Sequence, residues 1–372
     1  MASGAIVIDN GSDTLKVGFA DETSPRAILP AVVGHPRTTG ILIGAKKTYY
    51  GAEAIARRGA LTLRRPIERG LVVEWSDLEA LWRYVFEAVL AVQPDQRAIL
   101  VTNPPDNPRS DRERLVQLLF EVFSAPAVYV ADTASLALAA YGRSTGLAVD
   151  VGDTFTSVTP VVDGAAITSA GRRLDLGGRD VDGALQALLR ERGWSLTTTA
   201  EQALLRDLKE TLGYVAADYQ EAIVAADVDP AAIQATYPLP DGQVITVDTE
   251  RFRCAELLFT PSRVGVGQDG VDTLAYDAVM GCDPAVRAAL LDGVVLAGGS
   301  SRFPGLATRL ERGLTARVAA GLTVGVSGRD DRGYASWIGG ALRCAAPAFA
   351  SRWITAAEYE REGPGIVHAK CV

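Results

Sequence analysis

The stretch IDNGSDTLKVGF, residues 8–19, sets an acid, a glycine, two hydroxyls and a lysine between runs that otherwise read as two strands. It has a partner. IVIDNGSDTLKV from Ile6 aligns without a gap onto LAVDVGDTFTSV from Leu147, with Asp-x-Gly at the same place in each. An apolar run, Asp-x-Gly, small polar residues and then alternating residues describe a hairpin with a glycine-bearing turn. Two such hairpins suggest two related domains, but short apolar-Asp-x-Gly stretches are common, so the hairpins alone leave duplication and coincidence on equal terms.

The residue types in these turns suit one chemistry. Backbone amides of a glycine turn approach phosphate oxygens closely, a lysine on the next strand neutralises them, and a carboxylate at the strand end holds hydrated Mg²⁺. Asp9, Gly11, Ser12 and Lys16 make up that set, and Asp150, Gly152, Asp153 and Thr154 make up a second one. Facing each other, the two turns would clamp a polyphosphate with the metal between Asp9 and Asp150. Taken singly, either hairpin reads equally well as a surface turn. A third element is GVVLAGGSSRFPG, residues 293–305: a buried strand, a Gly-Gly turn, hydroxyls, then a helix expected to hold Pro304 in its first turn. Its glycines would let a flat ring or ribose lie against backbone. No GxxxxGK[ST] loop occurs, which excludes a P-loop protein.

Composition narrows the alternatives. The 372 residues are 48% hydrophobic and 22% charged, a globular make-up long enough for two or more cores. A net charge of -8 and a pI near 5.0 argue against nucleic-acid binding. No run approaches the ~20 apolar residues of a membrane span, and MASGAIVID has no charged leader, so a cytoplasmic protein without membrane insertion is expected. Cys254, Cys282, Cys344 and Cys371 lack CxxC spacing and read as reduced thiols. With His35 and His368 as the only histidines, chemistry must rest on carboxylates, hydroxyls and backbone.

Strand-like runs such as AILVT (98–102) and GVVLAGG (293–299) alternate with helix-like segments, the pattern of an α/β protein. Ser76-Asp77-Leu78-Glu79 reads as a capping box opening a helix with Leu78, Leu81, Trp82, Val85, Phe86, Val89 and Leu90 on its apolar face. Thr199 with Gln202 is expected to open another, through AEQALLRDLKETLGYVA.

Asp9 to Lys16, Asp150 to Thr154 and Gly298 to Gly305 resemble the two phosphate loops and the adenosine loop of the superfamily of actins, sugar kinases and heat-shock chaperone ATPases. Beyond them, RPIERGLV, FSAPAVYVA, GRSTG, LDLGGRD, ERGWSLTTTAE, LPDGQVIT, ERFRC, YASWIGGAL and the tail WITAAEYEREGPGIVHAKCV resemble the actin family, and its eukaryotic members above all, along nearly the whole chain. Only five of the 37 basic residues are lysine, and this arginine- and alanine-heavy usage fits a GC-rich genome and hence a bacterial member.

The resemblance implies an actin-like ATPase fold of two related α/β domains, each split into two subdomains, with nucleotide in the central cleft. The expected division is 1–141 plus 334–372, with 31–65 as small subdomain, and 142–333, with 177–266 as small subdomain. ATP or ADP with Mg²⁺, or Ca²⁺ in vitro, would be held at the phosphates by Gly11, Ser12, Asp13, Thr14, Lys16, Gly152, Asp153 and Thr154. Asp9 and Asp150 would hold the metal through water. Gly178, Arg206, Lys209, Glu210, Gly298, Gly299, Ser300 and Phe303 would surround ribose and adenine. Without the resemblance, Lys209 and Glu210 would read as a solvated helix face.

Departures from the family bear on rate and assembly. Thr133 stands where actin has the glutamine that positions the attacking water, with Asp132 just before it; Ser157 and Arg69 stand where it has histidines. Positioning supplies most of the rate in phosphoryl transfer, so hydrolysis slower than in actin is expected unless Asp132 or Ser157 substitutes. Asp13 replaces a glycine, either adding negative charge near phosphate or acting as a turn residue. GILIGAKKTYYG, residues 40–51, resembles the polymerisation loop, two residues shorter, and would insert into the next subunit of a head-to-tail homopolymer. The receiving surface differs: Ala139 and Ala165 replace tyrosines, and Arg343 and Ala346 replace leucines. Arg263, Gly265, Gly267 and Gln268 occupy the segment of actin's apolar plug, and the acidic N-terminal cluster is missing, so the usual eukaryotic partners are not expected to bind. The leading reading is a filament-forming cytoskeletal ATPase. The rival is a non-polymerising actin-related subunit or regulator of a larger assembly, which long insertions would have favoured; a metabolic kinase comes third.

Overall fold

The computed structural model describes residues 4–37 and 46–371. The chain divides into two compact units: 1–144, 161–168 and 334–372 form the first, and 145–160 with 169–333 the second. The expected insertion loop, 40–51, falls partly on 38–45, outside the described residues.

Each Asp-x-Gly motif is a hairpin at the heart of its unit's sheet. In the first unit Ile6–Asn10 pairs antiparallel with Thr14–Phe19, Asp9 opposite Lys16 and Asn10 opposite Leu15. The sheet runs in the order Ile354–Thr355, Ala127–Asp132, Ile99–Asn103, Ile6–Asn10, Thr14–Phe19, Ala27–Pro30. Ile6–Asn10, Ile99–Asn103 and Ala127–Asp132 are mutually parallel. The second unit repeats this order around Gly146–Val151, flanked by Thr156–Val162 and then Arg172–Leu174 on one side, and by parallel Val294–Ala297 and Val326–Ser327 on the other. The same arrangement of hairpin and parallel neighbours answers the question left open by the motif: the two units are related in topology.

The central strands are apolar because they are covered on both faces, as parallel strands are. Ile6, Val7, Ile8, Ile99, Leu100, Val101, Leu147, Val149, Val294, Val295 and Leu296 are fully buried. In the first unit the cover is the helix Ala335–Ala345 laid on Thr133–Ala140. Gly339 makes this crossing possible, since a Cβ there would stand 1.8 Å from the Leu136 carbonyl oxygen. Trp337 Nε1 donates to the Val7 carbonyl at 3.1 Å, locking that helix to the sheet.

Three boundaries differ from the sequence expectation. The helix Trp75–Tyr84 starts before Ser76, with Glu74 at its N-cap and no side-chain cap. Asp77 is turned inward instead, its Oδ1 2.9 Å from His35 Nε2. The helix Thr199–Leu212 is capped one residue earlier than expected, by Thr198 with Glu201 in a reciprocal capping box. Pro304 lies between the short turn Gly299–Arg302 and the helix Leu306–Thr315, not within the helix. Gly305, at φ 83°, leads into that helix because a Cβ would strike the Val215 carbonyl oxygen at 2.1 Å.

All four cysteines are buried and unbridged. Among the described residues no helix is long and apolar enough to cross a membrane.

Candidate functional site

Parallel strands end on one edge of their sheet, and in open α/β sheets the carboxyl edge is where ligands bind. In the first unit that edge carries Asp9, Thr102 and Asp132, near the ends of three neighbouring parallel strands. Thr102 Oγ1 donates to Asp9 Oδ1 at 2.8 Å and accepts from Asn10 N at 3.0 Å, so the carboxylate and the start of the turn are held by one hydroxyl. Lys16 Nζ stands 3.3 Å from Asp9 Oδ2. Gly11 keeps the site open: a Cβ there would come within 2.6 Å of the Thr14 carbonyl oxygen and 3.2 Å of Lys16 Nζ. Ser12 is buried, and its Oγ accepts from Gly70 N at 3.3 Å. Asp13, the acid in place of a glycine, meets Arg65 Nη1 at 3.0 Å. Thr14 opens the return strand. Asp9, Gly11, Ser12, Asp13, Thr14 and Lys16 are thus one cluster.

Asp132 has a structural task. Its Oδ1 accepts from Ser135 N and its Oδ2 from Ser135 Oγ, both at 2.6 Å, capping the helix Thr133–Ala140. Thr133 begins that helix, and its carbonyl accepts from Ser336 Oγ. The carboxylate expected as a stand-in for the missing glutamine is therefore engaged at both oxygens.

The second unit builds its edge from more distant parts. Gly152 N donates to the Phe155 carbonyl at 3.0 Å, closing the turn, and Gly178 N donates to the Gly152 carbonyl at 3.0 Å, docking the helix Gly178–Glu191 onto it. Asp153 is held by Arg179 at 2.8 Å and Arg206 at 3.3 Å. Thr154 is buried, and its Oγ1 has no hydrogen-bond partner. Gly298, at φ 84°, lies so close to Asp150 that a Cβ would meet Oδ1 at 2.2 Å. Gly178 abuts Ser300 in the same manner, with 2.3 Å from its would-be Cβ to Ser300 Oγ. Gly213 lets Phe303 approach the end of the Lys209 helix. Ser157 is buried on the strand opposite Arg173.

Lys209 departs from the bland expectation of a solvated face. It is 5% exposed, with Nζ 2.8 Å from Asp182 Oδ1 and donating to the Gly178 carbonyl at 3.1 Å. Burial raises the Asp182 carboxyl above its ordinary value, against the opposing pull of Lys209. Glu210, next to it, is exposed, and Gly299 is exposed at the start of its turn.

The cluster in the second unit therefore comprises Asp150, Gly152, Asp153, Thr154, Gly178, Arg206, Lys209, Gly298, Ser300 and Phe303, as expected from the sequence, plus Arg179 and Asp182, which were missed. A signal for Asp182 existed. Gly178, Val181, Leu185 and Leu189 are the buried positions of its helix, and Asp182 sits on that stripe, as Lys209 sits beside buried Leu205 and Leu208 on the other. Opposite charges on two apolar stripes announce a buried pair. Thr102 and Arg65 were also missed as site residues: Thr102 ends the run AILVT and Arg65 opens RPIERGLV, and only sheet order and chain path bring them to the first turn.

Each unit by itself offers turn amides, a buried hydroxyl (Ser12 in the first, Thr154 with its unpartnered Oγ1 in the second) and a lysine close to a carboxylate, groups suited to phosphate and to a cation carried by it. Among the described residues no three His, Cys, Asp or Glu side chains form a metal cluster, so a cation taken by Asp9 or Asp150 needs phosphate and water for its remaining ligands. The family model for actin matches residues 1–372, the whole chain.

Proposed function

The chain belongs to the actin family, and from that premise we propose that it is a cytoskeletal ATPase that binds Mg-ATP and assembles head-to-tail into filaments. The observation that supports this most is the repeated hairpin, each copy carrying a carboxylate at its strand end and a glycine-opened turn at the carboxyl edge of a parallel sheet. Phosphates would be taken by the amides of Gly11 to Thr14 and Gly152 to Thr154, with Lys16 supplying charge and Thr154 Oγ1 an otherwise unused donor. Asp9 and Asp150 would orient the water shell of Mg²⁺, which supplies charge neutralisation for the leaving diphosphate. Arg206, Lys209 and Glu210, with Gly298 to Phe303, would hold the nucleoside.

Water activation is the weak part of the machinery. Thr133 replaces the longer amide side chain, Asp132 is spent on its helix cap, and Ser157 cannot act as an imidazole would. Slow hydrolysis follows, with long-lived ATP-state filaments. Segment 40–51 is the proposed longitudinal contact, and the altered receiving positions Ala139, Ala165, Arg343 and Ala346 point to self-recognition rather than to the partners of eukaryotic actin.

High-speed sedimentation with negative-stain microscopy in Mg-ATP, Mg-ADP and EDTA tests this. Filaments above a critical concentration in Mg-ATP support the cytoskeletal reading. A protein that stays in the supernatant while ATP raises its melting temperature supports instead a non-polymerising ATP-binding subunit. No effect of ATP on either readout overturns both.

A further inference from the structure

Asp13 brings a carboxylate into a turn proposed to hold phosphate, where like charges repel. Its neighbour in space is a residue from a different part of the chain. Arg65 Nη1 donates to Asp13 Oδ1 at 3.0 Å and to the Ser12 carbonyl at 3.2 Å. The backbone on both sides of Arg65 is anchored. Leu61–Arg64, just before it, pairs with Val33–Pro36. Just after it come Ile67–Glu68 and Leu71–Val72, a hairpin whose turn residue Gly70 donates its N–H to Ser12 Oγ. Asn107 Nδ2 holds the Gly70 carbonyl at 2.8 Å. The guanidinium is therefore delivered to the turn from a fixed base, and it is only 26% exposed. Its planar fork has five N–H donors, more than Asp13 Oδ1 and the Ser12 carbonyl occupy.

We propose that Arg65 binds the terminal phosphate of the nucleotide and sets the preference for triphosphate over diphosphate, with Asp13 as its counter-ion when that phosphate is absent. The inference rests on the nucleotide-binding reading above. With a diphosphate bound, Arg65 and Asp13 neutralise each other and the turn carries no net charge from the pair. A γ-phosphate brings about two negative charges to the turn, and the guanidinium then bridges carboxylate and phosphate through separate donors. Remove Arg65, and the γ-phosphate loses the guanidinium that stands beside Asp13. Remove Asp13, and Arg65 is released to the phosphate in full. Discrimination thus rests on Arg65, and Asp13 moderates it by sharing the guanidinium with the phosphate.

The test is calorimetric titration of Mg-ADP and of Mg with the β,γ-imido analogue of ATP, against the parent chain, Arg65→Ala, Arg65→Lys, Asp13→Gly and the Asp13→Gly/Arg65→Ala pair. Arg65→Ala is expected to weaken the triphosphate analogue about 10- to 100-fold more than ADP, the scale of a charge-assisted hydrogen bond. Arg65→Lys should recover part of that loss, and Asp13→Gly should raise the analogue-to-ADP affinity ratio above the parent's. A merely structural ion pair would lower the melting temperature and shift both affinities by one factor; an unchanged ratio in Arg65→Ala and Asp13→Gly overturns the proposal. Should Arg65→Ala fail to fold, the ratio in Asp13→Gly decides alone. A parent chain that binds neither nucleotide overturns the underlying functional reading, an outcome distinct from binding without discrimination.

Discussion

The two hairpins share a backbone and differ in where their charge comes from. In the first unit the hairpin carries its own cation: Lys16 faces Asp9 across the two strands, and Arg65 comes to Asp13 from outside it. In the second the position equivalent to Lys16 is Ser157, and charge arrives from two helices, Arg179 on one and Arg206 and Lys209 on the other. A local solution survives as a short motif. A distributed one needs the helices to be docked before the site exists, which Gly178 N on the Gly152 carbonyl and the Asp182–Lys209 pair achieve.

The comparison breaks most visibly at Lys209. Lys209→Met leaves Asp182 buried without its ammonium and is expected to cost about 3–5 kcal/mol of stability in the nucleotide-free protein, read by denaturant titration. It should also change the pH dependence. A carboxyl raised by burial favours folding when protonated, and that contribution is lost as pH climbs from below the usual 3.8 through the raised value. With Lys209 gone the rise is larger, so stability should fall more steeply towards neutral pH than in the parent; parallel pH profiles would show that the pair is not coupled.

Next in size is the hairpin cation itself. Lys16→Met should weaken Mg-ATP binding by about tenfold to a hundredfold, whereas Ser157→Ala at the equivalent position should change it by less than about tenfold. Equal effects in a titration would erase the asymmetry drawn here. The two turn acids sharpen it further. Asp153, gripped by two arginines and only 12% exposed, should lose about 1–3 kcal/mol as Asp153→Asn, against about 0.5–1 kcal/mol for Asp13→Asn, whose pair with Arg65 is more open. Thermal melts of the two variants side by side decide the order. The smallest expected effect is kinetic: on the function proposed above, Thr133→Gln, with its longer amide side chain, should speed phosphate release about twofold without moving the melting temperature. An unchanged rate would overturn the role proposed for position 133.

Much of this molecule is written in periods and turns. The apolar strands, the Asp-x-Gly turns and the Gly-Gly turn at 298–299 are visible because strands alternate or run apolar and because tight turns demand glycine. Helix starts were less legible. Ser76 looks like a cap, yet Asp77 is drawn inward to His35, and a tertiary partner overrides the local rule. Asp132 reads in the sequence as a substitute for the missing glutamine; its task as the cap of Thr133–Ala140 shows only in the contacts of Ser135 with both oxygens. Lys209 and Glu210 are adjacent letters of like polarity, and a rotation of about 100° along the helix buries one and exposes the other.

What the sequence by itself determined is the pair of hairpins, the glycine positions that keep their turns open and the family to which the chain belongs, since all three are carried by residues near one another in the chain or by motifs in a fixed order. Only the tertiary structure decided which charges meet: Thr102 on Asp9, Arg65 on Asp13, Arg179 and Arg206 on Asp153, and Lys209 on Asp182. These partners lie from 26 to 93 residues apart. Pairing at such range is settled by sheet order and helix docking, which no local spacing encodes.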